Sequence, residues 1–359
     1  MRVEVLGVAC LALAAACTGY VCNVATARQA TSLHVGNDGG LPATTAKRHY
    51  QSLSRSLLLG AGLLPSLITP SRSSAKVYFD LDTYGDKELK IATVNKIKQK
   101  LRNLILQNIE LAPVLFQLAI SDALGYDIKT DEGGPDASIK FEVDVNNKEF
   151  IEAIAAIESI KKDLSRTNSV SSSDLISFGG GEVLESVGGS RTTVQVGRYD
   201  AKKENERICS SNWNENNKCV IDAFYNSGME AQDIALILGS LGEIKRIVAE
   251  TIEESNKDKS IDTEDEDADD SWQNNVPSTF GERSQIYGKR VGKADFGNKY
   301  LSQLLQTGGD TLGKLLLADP KIKVYVQKYA TNEAQFKSDV PGAYNKLTTL
   351  GQAFITRNS

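Results

Sequence analysis

The chain has 359 residues, with 41 Lys and Arg against 46 Asp and Glu and a formal net charge of −5 at neutral pH. This acidic balance argues against nucleic acid as a partner. The chain has only two histidines, His34 and His49, both near the amino terminus. A histidine base or metal ligand is therefore excluded from the rest of the chain.

Residues 1–75 have the composition of targeting segments. An apolar run, Val5–Cys17, ends near the small residues Ala25–Ala27, as in a secretory signal. A region rich in Ser, Thr, Ala and Gly follows, and then a second apolar run, Leu57–Ile68. Three signals in series predict export, entry into a plastid of secondary origin, and transfer to the thylakoid lumen. One signal peptide followed by a disordered tail is the alternative.

The remaining residues, 76–359, are predicted to form the folded part. Six of the 41 basic and two of the 46 acidic residues lie in 1–75, which leaves 35 basic and 44 acidic residues and a formal charge of −9. This length suits one large domain, or two lobes that share a core. No apolar stretch after residue 75 is long enough to span a membrane, so we expect no integral membrane segment.

Two helices are predicted next. Apolar residues at helical spacing predict the first over Lys90–Asn108, and the second covers Pro113–Leu124, with proline at its first position. On the second helix Gln117, Ile120 and Ser121 lie on one side. A polar residue and a small hydroxyl on an apolar helix occur in many folds, so the helix alone predicts no chemistry.

The helix and the loop that follows it form a more specific pattern than the helix alone. The segments APVLFQLAISDALGYD and GGPDASIKF resemble the distal helix and loop of class I haem peroxidases, the ascorbate peroxidase and cytochrome c peroxidase group. In that family they read A-P-L-x-x-R-L-A-W-H-x-A-G-x-Y-D and G-G-A-N-G-S-I-R-F. The family's arginine falls on Gln117, its tryptophan on Ile120 and its histidine on Ser121. Peroxide cleavage needs a base and a fixed cation, and neither glutamine nor serine supplies them.

The next blocks keep the family's order. A helix over Asn147–Lys162 begins at an asparagine that steadies the distal histidine in the family, and here we predict a helix cap. The block Val170–Asp200 resembles S-Y-A-D-L, G-G and G-R-x-D through Asp174, Gly188, Gly189, Arg198 and Asp200. Three consecutive glycines, 179–181, depart from the pattern. They are predicted to loosen the helix at about 1 kcal/mol each relative to alanine.

Cys209 and Cys219 are the only cysteines after residue 22. Two cysteines ten residues apart in a polar, turn-rich segment of an exported protein favour a disulfide. Closing such a loop contributes about 3 kcal/mol. Two free thiols and a reversible dithiol switch are the alternatives.

A long helix is predicted over Met229–Ser255, followed by an acidic loop at 256–282. The segment DIALILGSLGE resembles the family's D-I-V-A-L-S-G-G-H-T-L-G, which puts the iron-binding histidine on Leu241. Seven acids in the nine residues 262–270 predict a solvated loop. Weak binding of divalent cations and docking on a basic protein are alternatives for this run.

The last block, Phe296–Phe354, resembles F-D-N-x-Y-F, A-L-L-x-D-P and K-L-x-x-L-G of the family. The aspartate that bonds to the iron-binding histidine falls on Gly313. The aspartate of F-D-N, where some ascorbate peroxidases hold a cation, falls on Gly297. The resemblance implies a mostly α, peroxidase-like fold with two helical lobes around a central cleft.

Five substitutions remove the family's base, cation, aromatic neighbour, iron ligand and ligand partner, in the order Ser121, Gln117, Ile120, Leu241 and Gly313. This predicts a non-catalytic protein without haem or metal, whose cleft between Ser121 and Leu241 is too small or too apolar for haem. Together with the lumenal targeting, this pattern is similar to that of the family's haem-free members in the thylakoid lumen, which are peripheral to photosystem II. The resemblance therefore implies a photosynthetic membrane complex, with photosystem II first, as partner on the lumenal side.

Two other functions compete with this prediction. The first is a haem peroxidase of the oxidative-stress response whose iron is held by Met229 or a tyrosine in place of histidine. The second is a redox sensor that uses Cys209 and Cys219.

Overall fold

A computed structural model describes residues 77–80, 84–143, 147–165, 169–205, 209, 217–261 and 295–354. The targeting segments predicted in 1–75 and the acidic run at 262–270 lie outside these residues. All described residues belong to one compact unit, residues 68–359.

The first group of helices comes from the amino-terminal half of this unit. It contains α1 (Lys87–Gln107), α2 (Leu111–Ala123), a short 3₁₀ helix (Ser138–Phe141), α3 (Lys148–Leu164) and α4 (Ser172–Ser186). These helices bury their apolar faces against one another, with α4 packed on both α1 and α2. The side chains of Asp86, Asn147 and Ser171 cap α1, α3 and α4. The predicted capping role of Asn147 is thereby confirmed.

The second group surrounds one long helix. It contains α5 (Asn217–Asn226), α6 (Ala231–Ile261), α7 (Lys299–Thr307), α8 (Thr311–Ala318), α9 (Pro320–Thr331) and α10 (Glu333–Thr348). Helices α7 to α10 pack around α6, and α2 of the first group contacts both α6 and α10. Two short parallel strands, β1 (Val77–Phe79) and β2 (Gln352–Phe354), pair with Val77 opposite Gln352. The predicted mostly α fold is confirmed.

Several predicted helix boundaries differ from those in the structure. Helix α2 begins at Leu111, two residues before Pro113. The proline still lies in the first turn, where a backbone N–H would have no acceptor within the helix. Helix α6 continues to Ile261 and includes the first six residues of the predicted acidic loop. The segment 256–261 contains no glycine or proline, and each added helical residue gains a backbone hydrogen bond.

The three glycines of α4 lie in an unbroken, buried helix. A Cβ on Gly180 would lie 2.2 Å from the Tyr344 hydroxyl and 2.9 Å from Ala119 Cβ. The Tyr344 hydroxyl donates a hydrogen bond to the Ser177 carbonyl at 2.7 Å, and its ring stacks on Phe116 with centroids 5.6 Å apart. The prediction that the glycines loosen helix α4 is wrong for Gly180, because Tyr344 occupies the space that a side chain at this position would need.

In the part of the chain that the structure describes, no helix combines the length and apolar composition needed to span a membrane.

Candidate functional site

The three positions that the family uses at the distal side lie on α2. Ile120 is completely buried, Ser121 is buried and Gln117 is half-buried. Helix α2 forms here because an apolar sequence without β-branched runs is closed by a turn at Leu124 and Gly125. The structure therefore places all three predicted residues together, on a helix whose neighbours are α3, α4, α6 and α10.

Leu241, at the position of the iron-binding histidine, lies in the middle of α6. Its side chain is completely buried, as are Ile237, Leu238 and Ile244 on the same helix. Leu241 and Ile120 belong to one continuous hydrophobic cluster, and α2 packs on α6. Burying a leucine contributes roughly 2 kcal/mol, so Leu241 stabilises the fold. Its hydrocarbon side chain offers no atom that could bind iron.

Gly313, at the position of the aspartate that would orient that histidine, lies in the first turn of α8. Its backbone N–H donates to the capping carboxylate of Asp310 at 2.8 Å. The same carboxylate accepts a 2.8 Å hydrogen bond from the Tyr300 hydroxyl. A Cβ at residue 313 would lie 2.4 Å from Leu304 Cδ1. Any larger side chain there would have to displace Leu304, so the position no longer has room for an aspartate.

A buried ion pair beside Leu241 was not predicted from the sequence. Glu243 is completely buried and accepts hydrogen bonds from Arg246 Nη2 at 2.7 Å and Arg246 Nε at 3.1 Å. It also accepts from the backbone N–H of Tyr300 at 2.7 Å and of Gly297 at 3.3 Å. Glu243 thus ties α6 to the start of α7. The only sequence signal was the i, i+3 spacing of Glu243 and Arg246.

Methionine does not replace the lost iron ligand. Met229 is buried, but it lies before the first residue of α6. Helical rise separates Ala231 and Leu241 by about 15 Å along the axis. Met229 therefore does not lie on the turn of α6 that carries the family's iron-binding position.

Seven tyrosines of the described part of the chain are poorly suited as ligands, because binding iron through the phenol oxygen requires its deprotonation. Seven hydroxyls each donate a hydrogen bond: Tyr84 to Asp174 (2.6 Å), Tyr126 to Asp131 (3.1 Å), Tyr199 to Asp80 (3.1 Å), Tyr225 to Asp319 (2.7 Å), Tyr300 to Asp310 (2.8 Å), Tyr329 to Asp339 (2.8 Å) and Tyr344 to Ser177 O (2.7 Å). Burial, and then the nearby carboxylate, raises the pKa of the Tyr225 phenol to about 12. The same two causes raise the pKa of Tyr84, Tyr300 and Tyr329 further.

These observations are a test of fit for haem. Within the residues that the structure describes, the histidine position is filled by leucine, the nearby methionine is misplaced, and the hydrogen-bonded phenols favour the protonated state. No group of three or more His, Cys, Asp or Glu suited to a metal ion occurs in this part of the chain. The residues present do not fit haem.

A second polar network lies between α4 and the loop after it. Asp174 and Arg198 are both completely buried, and Arg198 Nη1 lies 2.8 Å from Asp174 Oδ1. Asp174 also accepts from the Tyr84 hydroxyl and from Gly197 N at 2.8 Å, while Arg198 Nη2 donates to Thr348 O at 2.6 Å. Both charged residues matched the family in sequence. The structure shows that they join the amino-terminal helices to the end of α10.

Asp200, the last residue of the same sequence block, holds the start of α4. It accepts hydrogen bonds from Lys161 Nζ at 2.5 Å, Ser172 N at 3.0 Å and Ser173 N at 2.9 Å. Burial alone would raise the pKa of Asp200, but these donors outweigh it, so the pKa of the carboxyl lies below its ordinary value.

Cys209 and Cys219 are joined in a disulfide whose Cα atoms are 5.3 Å apart. Cys219 lies on α5, so the bridge fastens this helix to the preceding segment.

The fold and the replaced site together define a helical, peroxidase-like protein. The family model described as "Peroxidase" matches residues 97–332. The chain belongs to the peroxidase family.

Curated relatives of this chain are ascorbate peroxidases. The chain is 28% identical over 268 residues to L-ascorbate peroxidase 5, peroxisomal, of Arabidopsis thaliana, with 72% of this chain and 82% of the relative covered. It is 24% identical over 287 residues to probable L-ascorbate peroxidase 7, chloroplastic, of Oryza sativa subsp. japonica, covering 75% and 73%. A solved structure, that of the TL29 protein from Arabidopsis thaliana, aligns with a TM-score of 0.47 and 20% identity over 74% of this chain and 96% of that one.

Proposed function

We propose that this protein is a haem-free, non-catalytic member of the peroxidase family that works through its surface, as a peripheral subunit on the lumenal face of a photosynthetic membrane complex. The observation that carries the proposal is Leu241. A side chain that cannot bind iron is completely buried where the family binds iron. Gln117 and Ser121 extend the same loss to the groups that would react with peroxide.

The location follows from the sequence of residues 1–75. A secretory-type apolar run, a segment of transit-peptide composition and a second apolar run favour export, plastid entry and transfer across a thylakoid membrane, in that order. Some ascorbate peroxidases similar to this chain are chloroplastic by name, and others are peroxisomal. The proposed compartment therefore rests mainly on the targeting segments, which favour the thylakoid lumen.

Photosystem II is the proposed partner because of the resemblance to the lumenal, haem-free members of the family. The formal charge of −9 for residues 76–359 and the acidic run at 262–270 favour a basic face on that partner. Attraction between such faces weakens when salt screens it, with a Debye length of about 8 Å at physiological ionic strength.

Salt washing of thylakoid membranes tests this proposal. Membranes from the source organism are ruptured, washed at increasing salt, and separated as intact complexes, with an antibody against residues 76–359 as probe. We expect co-migration with photosystem II at low salt and release at high salt. An integral subunit that stays and a free lumenal protein released by rupture alone serve as controls. Migration of the protein as a free monomer at every salt concentration would contradict the proposal.

A further inference from the structure

A cavity of about 670 Å³ lies between α5 on one side and α8 with the start of α9 on the other. Its apolar surface includes Ile221 of α5 and Leu315 of α8, which are buried, and Pro320 at the start of α9. Cavities of roughly 300–1,000 Å³ with a mainly apolar lining hold ligands of drug size. The cavity belongs neither to the replaced peroxidase positions nor to the ion-pair networks.

Two lysine side chains, on opposing helices, lie at the border of this cavity. Lys218 of α5 and Lys314 of α8 both line it and both are exposed. Among the residues that the structure describes, neither has a carboxylate within ion-pair distance. An anionic group above the apolar surface would therefore meet two ammonium groups, each able to make a charge-assisted hydrogen bond.

Two carboxylates, Asp222 and Asp319, also line the cavity. Asp319 accepts the Tyr225 hydroxyl at 2.7 Å and caps α9 through Lys321 N at 2.8 Å, so its charge is stabilised locally by these donors and by the helix dipole. Asp222 is one helical turn from Lys218 on α5, and Asp310 is one helical turn from Lys314 on α8. The Asp310 carboxylate accepts from the Tyr300 hydroxyl and from Gly313 N, both at 2.8 Å. Two of the three carboxylates near the lysines are therefore already occupied by hydrogen-bond donors.

We propose that this cavity binds an amphiphilic organic anion, whose apolar body packs on Ile221 and Leu315 and whose carboxylate or sulfonate pairs with Lys314 and Lys218. A neutral ligand would use only the apolar surface, and a hydrophilic anion would use only the two ammonium groups. The site requires both features in one molecule. The proposal does not depend on the partner or the compartment of the protein.

Two fluorescent probes that share one skeleton test the site on the purified protein. The first, 8-anilinonaphthalene-1-sulfonate, carries the anion, and N-phenyl-1-naphthylamine is its neutral counterpart. We expect the sulfonate to bind with one-to-one saturation. Lys314→Ala should weaken it about tenfold, the loss of one charge-assisted contact, and leave the neutral probe within about twofold. Lys323→Ala, an exposed lysine of α9 outside the lining, is the matched control and should change neither probe.

A second variant blocks the cavity and leaves its charges in place. Ala318→Trp fills the space from an exposed position and should abolish binding of both probes, with the thermal unfolding midpoint confirming that the variant is folded. Three results would overturn the proposal: binding of the sulfonate without one-to-one saturation, equal effects of Lys314→Ala and Lys323→Ala, or full binding by Ala318→Trp.

Discussion

Two buried regions of this protein differ in how many of the peroxidase family's residues they retain. Around Asp174 and Arg198 the family's charged residues are present, and they hydrogen-bond to backbone groups of Gly197 and Thr348. Between α2 and α6 the family's polar residues are replaced, and Leu241 and Ile120 are completely buried. The family's charged residues are present in the Asp174 and Arg198 network, and its base, cation and iron ligand are replaced by Ser121, Gln117 and Leu241.

The largest effect is expected when the ion pair between Asp174 and Arg198 is broken. Asp174→Ala leaves Arg198 buried without its carboxylate, and breaking a buried ion pair from one side costs about 3–5 kcal/mol. Chemical unfolding should show this loss. Tyr84→Phe, which removes one neutral donor to the same carboxylate, is the matched control and should cost about 1 kcal/mol. Equal losses in the two variants would contradict a charge-based role for Asp174.

The second prediction tests how tightly helix α4 is packed at Gly180. Gly180→Ala places a Cβ 2.2 Å from the Tyr344 hydroxyl, and overpacking of this kind costs about 1–3 kcal/mol. Gly179→Ala is the matched control, since its Cβ would meet only Ile157 and Leu101 at 3.9 Å. It should stabilise the helix by up to about 1 kcal/mol.

A double-mutant cycle identifies the group responsible for this cost. Tyr344→Phe removes the hydroxyl that the new Cβ would strike, so it should recover part of the stability lost in Gly180→Ala. If the two changes are simply additive, Tyr344 is not the group that requires glycine at 180.

The smallest effect concerns pH and the retained network. The pKa of Asp200 is lower in the folded protein than in the unfolded chain, so its ionised form stabilises the fold above the unfolded pKa, and that contribution is lost as pH falls through the folded pKa. Asp200→Asn should cost about 1–2 kcal/mol at neutral pH, and the difference from the parent should shrink below a pH of about 4.

Asp163→Asn is the matched control for this pH series. Asp163 is exposed and pairs with Lys100 at 3.1 Å, so its removal should change stability by less than about 0.5 kcal/mol. A difference between Asp200→Asn and the parent that stays constant from neutral to acid pH would contradict the account of Asp200.

Local patterns in the sequence predicted much of this molecule. Apolar spacing was enough for α1 and α3, Asn147 for a cap, and the family's order of motifs for placing Leu241 on the helix that faces α2. The role of Gly180 was not predictable, because it depends on Tyr344, whose hydrogen-bond partner Ser177 is 167 residues away in sequence. Glu243 was missed for a similar reason, since its backbone donors at 297 and 300 follow a segment of no recognisable pattern.

The central claim is that this scaffold does not bind haem, and titration of the purified protein with haem tests it most directly. The visible spectrum is recorded for the parent and for Leu241→His, together with peroxide-dependent oxidation of ascorbate. We expect no stoichiometric haem-protein Soret band from the parent. We expect no peroxidase activity from either protein, because Gln117 and Ser121 supply neither the fixed cation nor the base. Stoichiometric haem binding by the parent, with oxidation of ascorbate by peroxide, would contradict the account.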